Sequence, residues 1–325
     1  IMELLGILSF LIFFLIQASF FSLTSIGLNI QWGFTGLFNV GIAGFFAVGA
    51  YTSGIMTGPR YAETWFGGFG LPVPLGFLAA LIVTAIVATL IGYITLRLRE
   101  DFLAISTFGI AVSIQLVANN LDELTRGPEG LYSLPKPLSE LSESPLVDNA
   151  LYLLICVAVI GLVYWAFERI LRSPWGRVLR AIREDEHAAM AMGKNVFLFR
   201  LQAFVLGSAT MGLAGALYAN FIGFISPTDF LPIFTIQIFV MVIVGGSGNN
   251  LGAIVGSVVM WAVWSASDSL IAAVVSPDFQ TQAAAARIVL IGLILVLMLL
   301  YRPQGLLPEK HVVSAAGRMK LKGED

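Results

Sequence analysis

From residue 1 to residue 59 a single charged side chain, Glu3, interrupts an otherwise neutral and largely apolar sequence. No water-soluble fold can dress its surface with such a stretch, because burying or grouping charge elsewhere does not solvate it. Similar runs recur along the chain. Soluble domains carry about 25% charged residues; this chain has 12%, against 58% hydrophobic. The hydrocarbon core of a bilayer, about 30 Å thick, is crossed by about 20 helical residues, since an unpaired backbone group is intolerable there. Apolar runs of that kind fall at 4–30, 37–57, 72–96, 102–121, 149–167, 196–221, 231–244, 251–270 and 284–301. The expected fold is an all-α polytopic membrane protein of about nine transmembrane helices (8–10). Runs 37–57 and 231–244 are the weakest crossings, one glycine-rich and the other short. The first run lacks a basic leader and is too long for a signal-peptide core, so it is expected to remain as a span.

Orientation follows from the cations. Fourteen of the 18 Lys and Arg lie in one set of loops: Arg97 and Arg99, seven residues within 169–200, and five within 302–322. The other set holds Arg60, Arg126, Lys136 and Arg287. The positive-inside rule places the first set in the cytoplasm, with the C-terminus, and the N-terminus outside. If 37–57 re-enters rather than crosses, the N-terminus moves inside. The expected organisation is a transmembrane domain over 1–308, with an acidic, proline-rich external loop at 122–148, and a cytoplasmic tail at 309–325. That external loop is read as a structured cap or docking surface, with a plain solvated loop as the alternative.

The cytoplasmic stretch 172–195 is too long for a turn between spans. Ser173-Pro174 is a helix-start signal. Val178, Leu179 and Ile182, then Ala188, Ala189 and Met192, recur at helical spacing, and Gly193 is a stop. Two short surface helices are expected, with Arg177, Arg180 and Arg183 along one side and Glu184, Asp185 and Glu186 at the joint. An interfacial anchor accounts for the arginines but not for the acidic trio. A mixed-charge knob with small residues at Ala188 and Gly193 suits a protein groove.

Glycines cluster in two places, at Gly33, Gly36, Gly41, Gly44 and Gly49 and at Gly245, Gly246, Gly248, Gly252 and Gly256. The steps from Gly248 to Gly252 to Gly256 permit close helix approach. Asn39 falls among the first set, and Asn249 and Asn250 among the second, which suggests two weakly repeated halves with broken or re-entrant segments. Loosened helices in corresponding halves point to a transport path, so Asn39, Gly41, Gly44, Asn249 and Asn250 are its candidates; Gln115, Asn119 and Asn120 are weaker ones.

Other chemistries find little support. Net charge is −2 with pI near 5.8, which argues against a nucleic-acid partner. The lone cysteine, Cys156, sits in an apolar run as a packing residue. Gly193-Lys194 leads into Asn195 with no phosphate-loop glycine before it, and no metal-helix or nucleophile-elbow motif appears, so neither an enzyme nor a resident cofactor or metal is expected. His187 and His311 are isolated. Asp268 is the one acidic residue in a late span, which keeps an ion-coupled secondary carrier as a rival reading; a scaffold without a path is a third.

The run from Ser173 through Trp175, Arg180 and Glu184 to Asn195 resembles the coupling loop of the LivM-type permeases of branched-chain amino acid ABC importers. So do Trp32 to Gly41, Phe45 to Thr52, Leu96 to Gly109, Leu213 to Tyr218 with Ser226-Pro227, Gly245 to Gly248, and Arg302 to Leu307. Where many members read Ser-Leu-Gly-His-Gly, this chain has Phe38, Asn39, Val40, Gly41 and lacks the histidine. The resemblance implies a multi-pass protein of the bacterial plasma (inner) membrane, working with a LivH-like sister permease, two cytoplasmic ATPases that bind ATP in its place, and an external substrate-binding protein. It makes Arg177, Arg180, Arg183, Glu184, Asp185, Ala188 and Gly193 the ATPase-coupling residues, and branched-chain or other neutral amino acids the solutes, with urea or short amides behind.

Overall fold

A computed structural model describes residues 2–61, 65–138, 144–274 and 280–309. Glu140, Glu143, Lys310 and His311, with the rest of the expected tail beyond Glu309, lie outside the described residues, as do the side chains of Asp268 and Arg287. The chain forms helices α1 (Met2–Leu28), α2 (Ile42–Thr57), α3 (Val73–Thr95), α4 (Glu100–Asn120), α5 (Asp122–Thr125), α6 (Pro145–Leu171), α7 (Pro174–Glu184), α8 (Glu186–Ala191), α9 (Val196–Ile222), α10 (Pro232–Gly245), α11 (Asn250–Val274) and α12 (Gln280–Tyr301). A two-residue antiparallel pair, Leu131–Tyr132 with Phe224–Ile225, is a small departure from an all-helical fold.

Six helices are long and apolar enough to cross a membrane, over Leu5–Gly33, Val73–Thr95, Asp101–Asn120, Pro145–Leu171, Val196–Ile222 and Asn250–Ser267. Three apolar helices are shorter: Ile42–Thr57, Pro232–Gly245 and Ile291–Tyr301. The protein is therefore a multi-pass helical membrane protein with six full-length spans among the described residues, and the expected count of about nine is reached only if the three shorter apolar helices also cross. The two weakest sequence runs became 16- and 14-residue helices. In the first, residues 37–41 are non-helical and α2 begins only at Ile42. The first cluster of five glycines divides accordingly: Gly33 ends the π segment, Gly36 and Gly41 lie in the non-helical turn, and Gly44 and Gly49 lie in α2.

Helix α9 is the hub. Its apolar length is buried almost all round, from Ala203 to Asn220, by α1, α2 and α3. Lipid tails are as apolar as Leu, so helices associate here by close contact rather than by hydrophobic exclusion. Small residues supply that contact. Gly27 and Gly207 meet backbone to backbone, as do Gly49 and Gly212, and a Cβ at any of these four would overlap the facing chain. On α3 the buried residues Gly76, Ala80, Thr84, Ala88 and Gly92 recur every four residues and make one smooth ridge against α2 and α9. Its other face carries exposed Leu78, Ile82, Ile86 and Leu90.

The helices share two ends. One gathers the basic loops: Leu96–Arg99, α7 and α8, Gly246–Asn249 and Arg302–Glu309. The other is closed by the described part of the acidic loop. There Trp65 donates to the Leu124 carbonyl at 3.0 Å and Asn220 donates to Thr57 Oγ1 at 3.0 Å and the Pro135 carbonyl at 2.9 Å. Burial there pushes the Lys136 ammonium below its ordinary pKa, against the opposing pull of Asp148.

Candidate functional site

Helix α1 does not end cleanly. Its last turn, Asn29–Gly33, widens into a π-helix, a form that appears mostly as single turns at functional positions. The wider turn brings two buried amides to bear on different neighbours. Asn29 Nδ2 donates to Asn250 Oδ1 at 2.9 Å, and its Oδ1 accepts the Gly248 N–H at 2.8 Å. Gln31 Nε2 donates to the Phe204 carbonyl at 2.7 Å and to Ser208 Oγ at 3.0 Å. Its Oε1 accepts from Asn39 Nδ2 at 2.8 Å. Gly33 must lack a side chain, since a Cβ would run into Asn29 Oδ1 and the Gly248 nitrogen.

The five residues expected on a path thus fall into two groups joined by one segment. Asn39 is fully buried, and its Oδ1 accepts the Gly41 N–H at 2.8 Å, so both its polar atoms hold backbone and amide within the chain. Gly41 and Gly44 let α2 approach Thr107 and Ala111 of α4. Asn249 caps α11 through the Leu251 and Gly252 N–H groups at 3.1 and 3.3 Å and reaches the Pro308 carbonyl at 3.1 Å. Asn250 is buried and donates to Glu168 Oε1 at 3.4 Å. The structure does not bring Asn39 and Asn250 into contact. It connects them through Asn29 and Gln31, which the sequence reading missed.

The surface helices form as their caps dictate. Ser173 Oγ accepts the Trp175 N–H at 3.2 Å, Asp185 Oδ1 accepts the Ala188 N–H at 3.0 Å, and Gly193 ends α8 at φ +77°. Leu179 and Ile182 are buried beneath α7. The arginines do not share one outward face. Arg177 is exposed, but Arg183 turns inward to donate to the Gly33 carbonyl and to Glu309 Oε2, the latter at 2.8 Å. Arg180 approaches the same carboxylate at 3.5 Å and lies over the Phe34 ring. Glu184, Asp185, Ala188 and Gly193 remain exposed, together with Met190 and Met192. One rigid chain of contacts therefore runs from the exposed hairpin through Arg183 to Gly33, and from that π turn to both glycine-rich turns.

Broken helices held by buried amides and a tethered surface hairpin, inside a multi-pass bundle, define the class: a membrane permease rather than an enzyme. Residues 10–299 match the family model described as "Branched-chain amino acid transport system / permease component", and the chain belongs to that family. It is 32% identical to the high-affinity branched-chain amino acid transport system permease protein LivM of Salmonella typhimurium, over 87% of this chain and 66% of that protein. It thus spans slightly under two thirds of that relative's length. A probable branched-chain amino acid transport permease protein LivM of Methanocaldococcus jannaschii is 28% identical over 92% of this chain and 93% of its own length. LivH of Salmonella typhimurium, a permease protein of the same kind of system, is 22% identical over 88% of this chain and 92% of its own. No solved structure matches significantly.

Proposed function

We propose that the chain is a permease subunit of an ABC importer and forms half of the path for branched-chain or other neutral amino acids. In this reading a LivH-like sister supplies the other half, two separate ATPase subunits bind and hydrolyse ATP, and an external protein delivers the solute. The nine apolar helices all cross, α2 and α10 by way of non-helical turns; the basic end faces the cytoplasm, and the C-terminal segment with it. LivM relatives at about a third identity and the LivH likeness support the pairing.

The observation that carries the proposal is the tether of the surface hairpin. Its outer edge offers Arg177, Glu184, Asp185, Ala188, Met190 and Gly193 to a partner, while its inner edge is fastened by Arg183 to the π turn. Force applied at α7 and α8 by closing ATPases has a direct route to the turns at 36–41 and 246–249, and so to Asn39, Gly41, Gly44, Asn249 and Asn250 beside the path. The chain itself supplies no chemistry. Its duty is to change which side the path opens on.

The test is uptake of leucine into vesicles holding the complete complex with the binding protein outside. Uptake that tracks ATP hydrolysis, and that Glu184→Lys abolishes while hydrolysis continues, is the expected result. Leucine moved by this chain alone along an ion gradient would place it among the secondary carriers and end the proposal. Urea or acetamide taken up in preference to leucine would move the solute class.

A further inference from the structure

At the basic end, the turn between α3 and α4 faces the turn between α8 and α9 across a groove of about 600 Å³. Arg97, Arg99, Lys194 and Arg200 line it against one carboxylate, Glu186, which Arg200 engages at 2.8 Å. We propose that this groove binds the phosphate headgroup of an anionic phospholipid.

A cluster of cations in a loop is ordinarily a solvated face, and three features set this one apart. Arg97 is stacked, its guanidinium 4.7 Å from the Tyr93 ring centroid and 5.6 Å from that of Phe197. Stacking on ring faces fixes the plane of a guanidinium and leaves its N–H edge for an oxygen anion. Arg200 has only 13% of its side chain exposed, and its Nε is buried with no acceptor. Glu186 holds that guanidinium in place at the groove wall, and phosphate oxygen is the acceptor a guanidinium fork matches. The groove also includes Asn195, Val196 and Phe197, where the 27-residue α9 begins, so the positive end of a long helix adds to the field.

The surroundings choose the lipid over a soluble anion. Ile94, Phe102 and Leu198 flank the groove at 70%, 60% and 48% exposure, and they continue into the exposed apolar face of α3. Acyl chains can run along that face while the headgroup sits among the arginines at the level where basic side chains meet a membrane surface. Asp101 stands exposed on the first turn of α4, outside the lining, and reduces the local positive charge without filling the groove. The site stands on this geometry alone and does not depend on which solute the permease carries.

Native mass spectrometry of the delipidated full chain, titrated with phosphatidylglycerol and with phosphatidylcholine of the same acyl chains, tests it. Phosphatidylglycerol should be retained preferentially. Arg97→Gln with Lys194→Gln should weaken it roughly thirtyfold, about a factor of five for each charge removed. Arg177→Gln with Arg302→Gln, an equal loss of exposed charge outside the groove, should leave it unchanged. Circular dichroism that matches the parent confirms that each variant is folded, and Lys194→Gln alone should still show its fivefold share. Equal losses in both double variants would reduce the effect to diffuse surface charge and overturn the site. Equal retention of the two lipids would do the same, as would displacement of phosphatidylglycerol by a molar excess of inorganic phosphate. Release of the lipid when ATPase subunits assemble would give the groove to protein.

Discussion

The two glycine-rich turns look alike in sequence and are built for different purposes. Each follows an apolar helix and carries an asparagine. The turn at 36–41 is enclosed: Asn39 joins Gln31, Gln31 grips α9, and the Val40 N–H donates to Thr107 Oγ1 at 3.0 Å. The turn at 246–249 sits at the basic end and is laced to the segment Arg302–Glu309. Leu306 and Leu307 donate to the Val244 and Gly245 carbonyls at 2.8 and 2.9 Å, and Asn249 reaches Pro308. Only the second turn is next to Glu309, the carboxylate that Arg183 holds. Glycine shows where a backbone bends; the amide beside it decides what the bend is fastened to. The π turn of α1 holds both through buried side-chain amides, Gln31 to Asn39 and Asn29 to the Gly248 N–H.

That difference can be broken at its strongest point. Gln31→Leu removes three buried hydrogen bonds and strands Asn39 Nδ2, at a cost of about 2–4 kcal/mol given the modest value of each polar contact between membrane helices. Thermal unfolding of the purified chain in detergent should show this as the largest loss of the series. Asn250→Leu removes the bonds to Asn29 and to Glu168 but leaves the Gly248 N–H satisfied by Asn29 Oδ1, so about 1–2 kcal/mol is expected. A loss from Asn250→Leu as large as that from Gln31→Leu would show that the two turns are equally enclosed. Asn249→Ala comes next, at about 1 kcal/mol for a helix cap, and Asn249→Asp, which keeps the acceptor, should recover most of it.

Local chemistry was legible in the sequence and distant partnership was not. Ser173, Pro174 and Gly193 announce the hairpin because a cap or a left-handed stop acts within four residues of itself. The spans announce themselves because lipid admits nothing else. Asn29 and Gln31 gave no such signal: their partners lie 221 and 173 residues further on, and an amide in an apolar run reads the same whether it is latched or loose. The partner of Arg183 was hidden for the same reason. The spacing of Arg183 from Arg177 and Arg180 suggests a shared outward face, but the carboxylate that turns it inward is 126 residues away. The weak runs at 37–57 and 231–244 were read correctly as weak. A non-helical turn inside the bundle leaves too few helical residues for full-length crossings, and glycine is what such a turn needs.

The smallest structural effect belongs to Glu184→Lys. The side chain is 73% exposed and its contact with Arg183, at 3.1 Å, is the outermost of that arginine's three. An exposed pair of this kind contributes at most a few tenths of a kcal/mol, and Arg183 keeps Glu309 and Gly33. Both turns should therefore stay as they are, and the midpoint of thermal unfolding should not move. If the hairpin receives work from another subunit, the same substitution stops ATP-driven leucine uptake in the complete complex, because a reversed charge now faces the partner. Arg183→Leu separates the two edges of α7: it frees the second turn from the hairpin and lowers stability, yet leaves the first turn gripped by Gln31. Protection of the 36–41 amides against hydrogen exchange should survive it, while that of 246–249 falls. Loss of protection in both turns together would mean that Arg183, which also packs against Gly36, rather than Gln31 is what holds the first one closed.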